Sequence, residues 1–364
     1  MTAGAWAELL RVSALFTVPG DALAGAAATG HRPGRGTALA VGASLCLYEA
    51  GMALNDWADR DEDAVDRPHR PIPSGRIAPG AALAAAGALT AAGLGLAAGA
   101  GRPALAIATG LAATVWAYDL RLKHTPAGPA AMAAARGLDL LLGAAATGTE
   151  RRAAGGSGDG RTGPGERDAG RRGDTGVRAV RRRAGRARPG PATRTNGPLR
   201  AALPAAGLLG AHTYAVTAVS RHEVRGGSTA VPLAALAATA ALATTGLRER
   251  HGRRGTATTG PEAEQTTGPS TRRPGRPLPP AAPAPRLLAT ALAGSYLATA
   301  GHPLLHAALN PSPPLTRRAV GGGIRAMIPL QAALAARAGA TGTGLAVMGL
   351  VPLARSLARK VSPT

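Results

Sequence analysis

The most restrictive feature of this sequence is a series of long apolar blocks rich in Ala, Leu, Gly and Val. Runs of about 18 or more residues with few charges are long enough to cross a bilayer as helices. Such blocks recur along the 364 residues at 10–29, 37–54, 80–99, 103–118, 128–148, 199–219, 230–247, 286–308, 319–337 and 340–356. The pattern predicts an all-α, polytopic transmembrane helical bundle of nine or ten spans rather than a soluble fold.

Two polar segments interrupt the apolar series. Residues 150–198 are rich in Arg and Gly, and residues 248–285 are rich in Pro, Thr and Arg. Neither segment has enough bulky apolar residues to offset its chain entropy, so both are predicted to be disordered loops. The remaining segments are predicted as the first half of the membrane bundle with the main candidate active-site loop (1–149), a second group of spans with a second polar loop (199–247) and the C-terminal spans (286–364).

The chain has a formal net charge of +22, which raises the question of a nucleic-acid partner. Much of the excess lies in the two polar segments, and neither contains an aromatic residue. Single-stranded nucleic acid is usually bound by aromatic side chains beside a basic groove. Basic segments next to a membrane instead meet anionic lipid headgroups. The sequence therefore predicts membrane lipids as partners, no nucleic acid, and no obligate protein partner.

The short polar loops are predicted to share one side of the membrane. The loops at 55–75, 119–128 and 220–229 each follow an even-numbered span, and each carries Arg or Lys. Short basic loops are typical of the cytoplasmic side. The sequence predicts a multi-pass cell-membrane (plasma-membrane) protein with these loops in the cytoplasm.

The first of these loops, NDWADRDEDAVDRPHRPIPSG at 55–75, concentrates acidic residues. On a continuous helix, Asp56, Asp59 and Asp63 would share one face, because positions i, i+3 and i+7 lie together. Clustered carboxylates that leave room for water and phosphate suit Mg²⁺. The guanidinium groups of Arg67 and Arg70 suit phosphate oxygens. The alternative is a solvated turn without a ligand.

The order of these residues resembles a known motif. N-D-x-x-D-x-x-x-D followed by D-R-P-x-R-P-I-P-S-G-R-I is similar to the first aspartate-rich motif of the UbiA family of membrane prenyltransferases. The resemblance implies a bundle of about nine helices and a Mg²⁺-dependent transfer of an isoprenoid from a prenyl diphosphate to an acceptor that the sequence does not identify. The residues that match the metal and diphosphate motif and its basic flank are Asn55, Asp56, Asp59, Asp63, Arg67 and Arg70.

A second element, W-A-Y-D-L-R-L-K at 116–123, resembles the Y-S-x-x-x-K-R element of the same family, with Asp119 where Ser is usual. The resemblance implies that Tyr118 is catalytic, its ring facing an allylic cation, and that Lys123 binds diphosphate. Tyr118 can alternatively be an interfacial anchor. Arg136 lies within a predicted span and is expected to point into the bundle and contribute to diphosphate binding. Asp139, one turn later, can alternatively serve only to neutralise it.

The sequence departs from the family in the loop between the sixth and seventh spans, where a second aspartate-rich motif is usual. SRHEVRGGST at 220–229 contains one acid, Glu223, and Ser220 stands where an Asp is expected. Glu223 is expected to hold a single metal ion, or alternatively Arg221 to bind phosphate directly in place of a cation. His222 is a candidate base for the acceptor, or a solvated loop residue. The alternative function is a non-catalytic membrane protein that binds a polyprenyl or phosphate compound.

Overall fold

The computed structural model describes residues 3–156, 197–223, 227–247 and 284–361, and its regular elements within these ranges are helical. The predicted all-α class is confirmed. The helices are α1 (Ala3–Leu9), a 3-10 helix (Val12–Thr17), α2 (Pro19–Ala28), α3 (Arg35–Ala58), α4 (Arg60–Asp66), α5 (Pro79–Ala100), α6 (Arg102–Ala117), a π-helical turn (Tyr118–Leu122), α7 (Gly128–Gly156), α8 (Gly197–Ser220), α9 (Ala230–Leu247), α10 (Ala284–Leu309), α11 (Pro313–Arg337) and α12 (Thr341–Val361).

Length and apolar composition identify the spans. Within the described ranges six helical stretches are long and apolar enough to cross a membrane: Arg35–Ala58, Pro79–Ala100, Arg102–Leu122, Gly128–Thr147, Gly197–Ser220 and Pro313–Arg337. Three shorter apolar stretches are Leu15–Ala28, Ala230–Thr245 and Thr341–Pro352. The chain is a multi-pass membrane protein.

The first predicted span is not one continuous helix. The chain divides into α1, the 3-10 helix and α2, because Arg11 adopts a left-handed conformation with φ 48° and Pro19 begins a new helix. Proline lacks the N–H that a helix interior requires, so a helix restarts at this residue more easily than it continues through it. After the break, Arg11 contacts Asp56 near the end of α3.

Small residues allow the helices to pack closely. A side chain at Gly143 in α7 would overlap the backbone of Ala22 in α2, and one at Gly93 in α5 would come within 3.1 Å of the Ala43 carbonyl oxygen in α3. Membrane helices associate through such small-residue contacts, since lipid provides little hydrophobic driving force between them. The glycines thereby allow close packing of α7 on α2 and of α5 on α3.

A buried polar contact joins three helices of the second half. His212 of α8 is hydrogen-bonded through Nδ1 to the Tyr296 hydroxyl of α10 and through Nε2 to the Gly323 carbonyl of α11, each at 3.0 Å. The carbonyl can only accept, so Nε2 carries the proton and the tyrosine hydroxyl donates to Nδ1. This arrangement fixes the relative positions of α8, α10 and α11.

Several polar loops meet at one end of the bundle. Lys123, after α6, contacts Asp59, after α3, and Arg221, after α8, donates to the Thr125 carbonyl at 2.6 Å. The Gly227 amide donates to the Pro311 carbonyl between α10 and α11 at 3.0 Å. These contacts confirm the predicted placement of the polar loops on a common side.

The two segments predicted as disordered loops lie mostly outside the described residues. α7 continues through Gly156, past the expected boundary at 149, and α10 begins at Ala284. The predictions for 157–196 and 248–283 concern residues that the structure does not describe.

Candidate active site

The first acidic loop begins in the last turn of α3 and continues through α4. The predicted continuous helix is wrong at one residue, because α3 ends at Ala58 and α4 begins at Arg60. Asp59 lies between them with φ −89° and ψ 4°, outside the helical region. Asp56 and Asp63 contact the same guanidinium group, whereas Asp59 contacts a different cation.

Arg70 bridges the carboxylates of Asp56 and Asp63. Its Nη1 donates to Asp56 Oδ1 at 3.1 Å and to Asp63 Oδ2 at 2.7 Å. Arg67 Nε lies 3.5 Å from the other oxygen of Asp63, and that carboxylate is 1% exposed. The Asp63 Oδ1 atom has no hydrogen-bond donor within the described part of the chain.

The loop that carries Arg70 is held by apolar anchors. Ile72 and Ile77 are buried in a cluster with Leu9 of α1 and Leu54 of α3. Two backbone hydrogen bonds, from Ser74 to Arg70 and from Ile77 to Pro71, close the turn. The sequence R-P-I-P-S-G-R-I therefore orders the loop and fixes the position of the arginine.

Arg11 is a site residue that the sequence analysis missed. Its Nη2 donates to Asp56 Oδ1 at 3.2 Å, so two guanidinium groups share this carboxylate oxygen. A charged side chain within an apolar block was the available signal, since such residues usually face a polar interior. Below, the edge cluster means Arg11, Asp56, Asp63, Arg67 and Arg70.

Lys123 and Asp119 bring the second motif into contact with the first. The Lys123 ammonium contacts Asp59, and Asn55 Nδ2 donates to Asp119 Oδ1 at 3.2 Å. Asp119 is 5% exposed within the π-helical turn. Such turns are frequent at functional sites. The sequence analysis noted Asp119 only as a replacement for Ser, but the structure makes it a contact between the two motifs.

An apolar cavity of about 260 Å³ opens beside these residues. Its walls include Leu47, Met52, Leu111, Val115 and Met132. The polar residues that line it are Arg11, Ser44, Tyr48, Asn55, Tyr118, Asp119, Arg136 and Asp139. The cavity therefore combines apolar walls with polar side chains, and the α3 residues that line it run from Ser44 to Asn55.

Arg136 points into the bundle, as predicted for a charged residue within a span. Its Nε lies 3.0 Å from Asp21 Oδ2, and its Nη2 donates to the Thr17 carbonyl at 3.2 Å. Asp139 instead accepts from Ser44 of α3. The direct ion pair of Arg136 is thus with Asp21, which the sequence analysis did not consider.

Gln331 of α11 completes this second group by donating to Asp21 Oδ1 at 2.6 Å. Asp21 and Gln331 are both 0% exposed. Below, the inner cluster means Asp21, Ser44, Arg136, Asp139 and Gln331. It joins α2, α3, α7 and α11.

The second loop lies next to the first but contributes few acids. Burial raises the pKa of Glu223, although nearby Arg317 and Arg67 act in the opposite direction. Arg221 is committed to the Thr125 carbonyl. Ser220, at the expected Asp position, donates to the Thr217 carbonyl at 2.8 Å within its own helix. Around Glu223 the described charges are mainly basic.

The predicted site residues thus fall into three groups. In the first group, Asp56, Asp63, Arg67 and Arg70 are in contact together with Arg11, which was not predicted; Asp59 contacts Lys123, and Asn55 contacts Asp119. Tyr118 and Arg136 line the cavity. Arg221 and Glu223 flank the group from the loop after α8.

Comparison with protein families matches residues 13–157, from the 3-10 helix through α7, to the UbiA prenyltransferase family. The resemblance read from the two motifs is confirmed. Within this UbiA segment lie the predicted site residues of the first loop, Tyr118, Lys123 and Arg136.

Similar proteins include two digeranylgeranylglyceryl phosphate synthases. The protein of Methanopyrus kandleri is 38% identical over 127 residues, which cover 34% of this chain and 45% of the relative. That of Natronomonas pharaonis is 36% identical over 143 residues, which cover 39% of this chain and 52% of the relative. The bacteriochlorophyll synthase 33 kDa chain of Rhodobacter capsulatus is 69% identical over 26 residues, covering 7% and 9%. The chain spans about half the length, or less, of these relatives.

Solved structures extend the UbiA-like fold beyond the first seven helices. One, from a study of digeranylgeranylglyceryl phosphate synthase in membranes, has a TM-score of 0.51 at 14% identity and covers 92% of this chain and 97% of its own. A UbiA homologue from Aeropyrum pernix K1 has a TM-score of 0.50 at 17% identity and covers 86% and 96%. At this identity the likeness concerns the fold alone.

Proposed function

We propose that this protein is a Mg²⁺-dependent membrane prenyltransferase, which moves an isoprenoid from a prenyl diphosphate to an acceptor. One observation carries the proposal: alternating carboxylates and guanidinium groups lie at the edge of a bundle, beside an apolar cavity. A prenyl diphosphate has a highly charged head and an apolar tail. The edge cluster and the cavity suit these two parts.

The cations of the site are suited to hold the diphosphate. Arg67, Arg70 and Lys123 pair with carboxylates at this end of the bundle, and their side chains are 47%, 19% and 10% exposed. Arginine forms paired hydrogen bonds to phosphate, and lysine acts as a compact charge. Asn55 orients Asp119 beside them, and Arg221 extends the basic surface from the second loop.

The carboxylates fit a divalent cation. Asp63 Oδ1 is a buried acceptor without a hydrogen-bond donor among the described residues. Asp56 accepts a hydrogen bond from Arg70, which also donates to Asp63. Asp59 and Glu223 add carboxylates from the two adjacent loops. Mg²⁺ prefers such hard oxygen ligands together with water and phosphate. When bound, Mg²⁺ supplies positive charge that stabilises the departing diphosphate.

The cavity is suited to the reacting end of the prenyl group. The Tyr118 ring lines it, and an aromatic ring can stabilise a cation that develops at the allylic carbon. Apolar walls exclude water, which would otherwise capture that cation. Arg136 lies further inside and shapes the polar inner end through its pair with Asp21.

The acceptor is proposed from the relatives' names. Two of them are digeranylgeranylglyceryl phosphate synthases, whose name describes a glyceryl phosphate carrying two geranylgeranyl groups. We infer a lipid acceptor, reached from the bilayer, with the loops at the active edge in the cytoplasm and the bundle in the cell membrane. The basic loop residues favour this orientation.

The test is transfer of label from [³H]geranylgeranyl diphosphate in membranes that contain the full chain. One arm uses geranylgeranylglyceryl phosphate as acceptor, and another uses a total lipid extract from the host. We expect Mg²⁺-dependent formation of a labelled lipid in at least one arm, and a decrease of about 10²-fold or more with Asp59→Asn. Asp61→Asn is the matched control, because Asp61 is 88% exposed and contacts only Arg60 among the described ion pairs.

Two results would count against the proposal. One is the absence of labelled product in both arms while the wild-type protein binds the diphosphate, which would favour the non-catalytic binding protein. The other is equal activity of Asp59→Asn and Asp61→Asn, which would mean that transfer does not depend on the Asp59 carboxylate.

A further inference from the structure

The hairpin of α10 and α11 carries a basic flank near its loop. Gly322 of α11 faces α10, because a Cβ at Gly322 would lie 2.9 Å from Pro303 Cγ and 3.1 Å from the Thr299 carbonyl oxygen. With 3.6 residues per turn in both antiparallel helices, four basic residues lie on the same side of this contact. Below, the outer basic flank means His302, His306, Arg318 and Arg325.

This flank faces away from the other helices of the second half. α8 packs against α11 at Gly323, and α9 packs against α10 at Gly301, both on the opposite side of the hairpin. α12 packs on the same side as the flank but further from the loop, since a Cβ at Gly344 would lie 2.9 Å from the Ala332 carbonyl oxygen. All four side chains of the outer basic flank are exposed.

The charges of the flank have no acidic partner in this part of the chain. None of the ion pairs between described residues involves its four side chains. Residues 284–364 contain neither Asp nor Glu, so α10, α11 and α12 cannot supply one. Arg317 differs from its neighbour Arg318, because it acts on the Glu223 carboxylate from the second loop. The flank is therefore a positive surface without internal compensation.

Arg325 shows where a ligand of this surface would lie. It belongs to the apolar stretch Pro313–Arg337, and its Nη1 would be 3.3 Å from a Cβ at Gly321, one turn nearer the loop. Arginines within spans extend in this way toward the polar edge of the bilayer. The loop lies at the end that carries the candidate active site, since the Gly227 amide donates to the Pro311 carbonyl. A ligand is thus expected at the headgroup level on that side.

The flank combines phosphate donors with apolar neighbours. The rings of His302 and His306 have centroids 4.3 Å apart, and a neutral imidazole offers one N–H donor. Guanidinium groups form paired hydrogen bonds to phosphate oxygens. Leu305 and Leu309, on the same exposed part of α10, are 41% and 76% exposed. A charged phosphate with attached acyl chains matches both parts of this surface.

We propose that the outer basic flank binds the headgroup phosphate of an anionic phospholipid, whose acyl chains lie along Leu305 and Leu309. An unpaired basic surface at the edge of a bilayer attracts lipids with a negative headgroup. The site lies outside residues 13–157, the segment that matches the UbiA family, and outside both long polar segments. Occupation of the site requires no prenyl transfer, so a failed transfer assay leaves this proposal standing.

The test is native mass spectrometry of the purified full chain at pH 8, where imidazoles are mostly neutral. The chain is titrated with phosphatidylglycerol or with zwitterionic phosphatidylcholine. We expect the first phosphatidylglycerol to bind at least about tenfold more tightly. Arg318→Gln with Arg325→Gln should weaken its binding by about tenfold or more, because each basic residue near an anionic lipid surface contributes about fivefold. Arg318→Lys with Arg325→Lys should stay within about threefold of the wild type, since it keeps both charges.

The matched control is Arg32→Gln with Arg35→Gln, which removes two exposed arginines before α3, at the other end of that helix from the acidic loop. Photoreactive phosphatidylglycerol in nanodiscs should label residues 298–325 in the wild type and in this control, and much less in the Arg318→Gln and Arg325→Gln variant. Unchanged labelling in that variant, equal weakening in the control, or equal weakening in the lysine variant would overturn the proposal. Displacement of the lipid by an equal concentration of inorganic phosphate would also overturn it, since the site would then bind free phosphate.

Discussion

The edge cluster and the inner cluster place an arginine among aspartates in two different surroundings. Arg70 bridges Asp56 and Asp63 at the end of the bundle. Arg136 pairs with Asp21 between the helices, with Asp139 one turn away. The edge cluster contains two further cations, Arg11 and Arg67, whereas the other members of the inner cluster that contact its aspartates are the neutral side chains of Gln331 and Ser44.

The comparison indicates that residue type alone does not decide the role of a charged group within a membrane bundle. At the edge, each carboxylate has two guanidinium partners, so a phosphate can take one of them without leaving the carboxylate unpaired. In the interior, loss of one partner leaves a charge that neither water nor another described cation compensates. We therefore expect the edge cluster to govern ligand binding and the inner cluster to govern stability.

The largest expected effect on folding is that of Arg136→Met. Removing the guanidinium leaves Asp21 buried without its ion pair, which costs about 3–5 kcal/mol in comparable buried pairs. The measurement is thermal or denaturant unfolding of purified protein. Arg76→Met is the control, because Arg76 pairs with Glu8 at the exposed surface, where ion pairs contribute little. Equal stability of the two variants would remove the distinction between the clusters.

The corresponding edge substitution, Arg70→Met, is expected to affect transfer most. We predict a decrease in prenyl transfer of about 10²–10³-fold, because a positioned charge on the diphosphate is lost. Its effect on unfolding should be smaller than that of Arg136→Met, since Arg11 and Arg67 still contact Asp56 and Asp63. A greater loss of stability at Arg70 than at Arg136 would reverse the comparison.

The smallest effect is expected at Tyr118, between the two clusters. Tyr118→Phe retains the ring and should change transfer by less than about threefold, whereas Tyr118→Leu should lower it about tenfold. Steady-state rates with saturating diphosphate are the measurement. If the two substitutions lower the rate equally, the hydroxyl rather than the ring is important, and the role proposed for the ring is wrong.

Much of the fold was predictable, because membrane spans follow from length and hydropathy. The apolar blocks correspond to helices, and the loops that follow even spans lie together. The break at Arg11 and Pro19 was not predicted, since hydropathy averages over a window and does not detect a single left-handed residue. Because of this break, α2 has only 10 residues and is shorter than a membrane span.

The candidate site was predictable only in part. Motif order predicted Asp56, Asp63 and Arg70 as site residues, and the structure brings them into contact. Spacing alone predicted one helix through Asp59, whereas the structure has two helices that meet at this residue. Contacts between residues distant in sequence, such as Arg11 with Asp56 and Asp21 with Arg136, depend on how the helices pack. No local pattern contains that information.

The most direct test of the central claim is the binding of geranylgeranyl diphosphate to purified protein as a function of Mg²⁺ concentration, compared between Asp63→Asn and Asp61→Asn. The two residues lie on the same short helix, but Asp63 is buried on Arg70 and Asp61 faces solvent. The account predicts Mg²⁺-dependent binding in the wild type and Asp61→Asn, and a loss of Mg²⁺ dependence in Asp63→Asn with folding intact. The same Mg²⁺ dependence in both variants would contradict it.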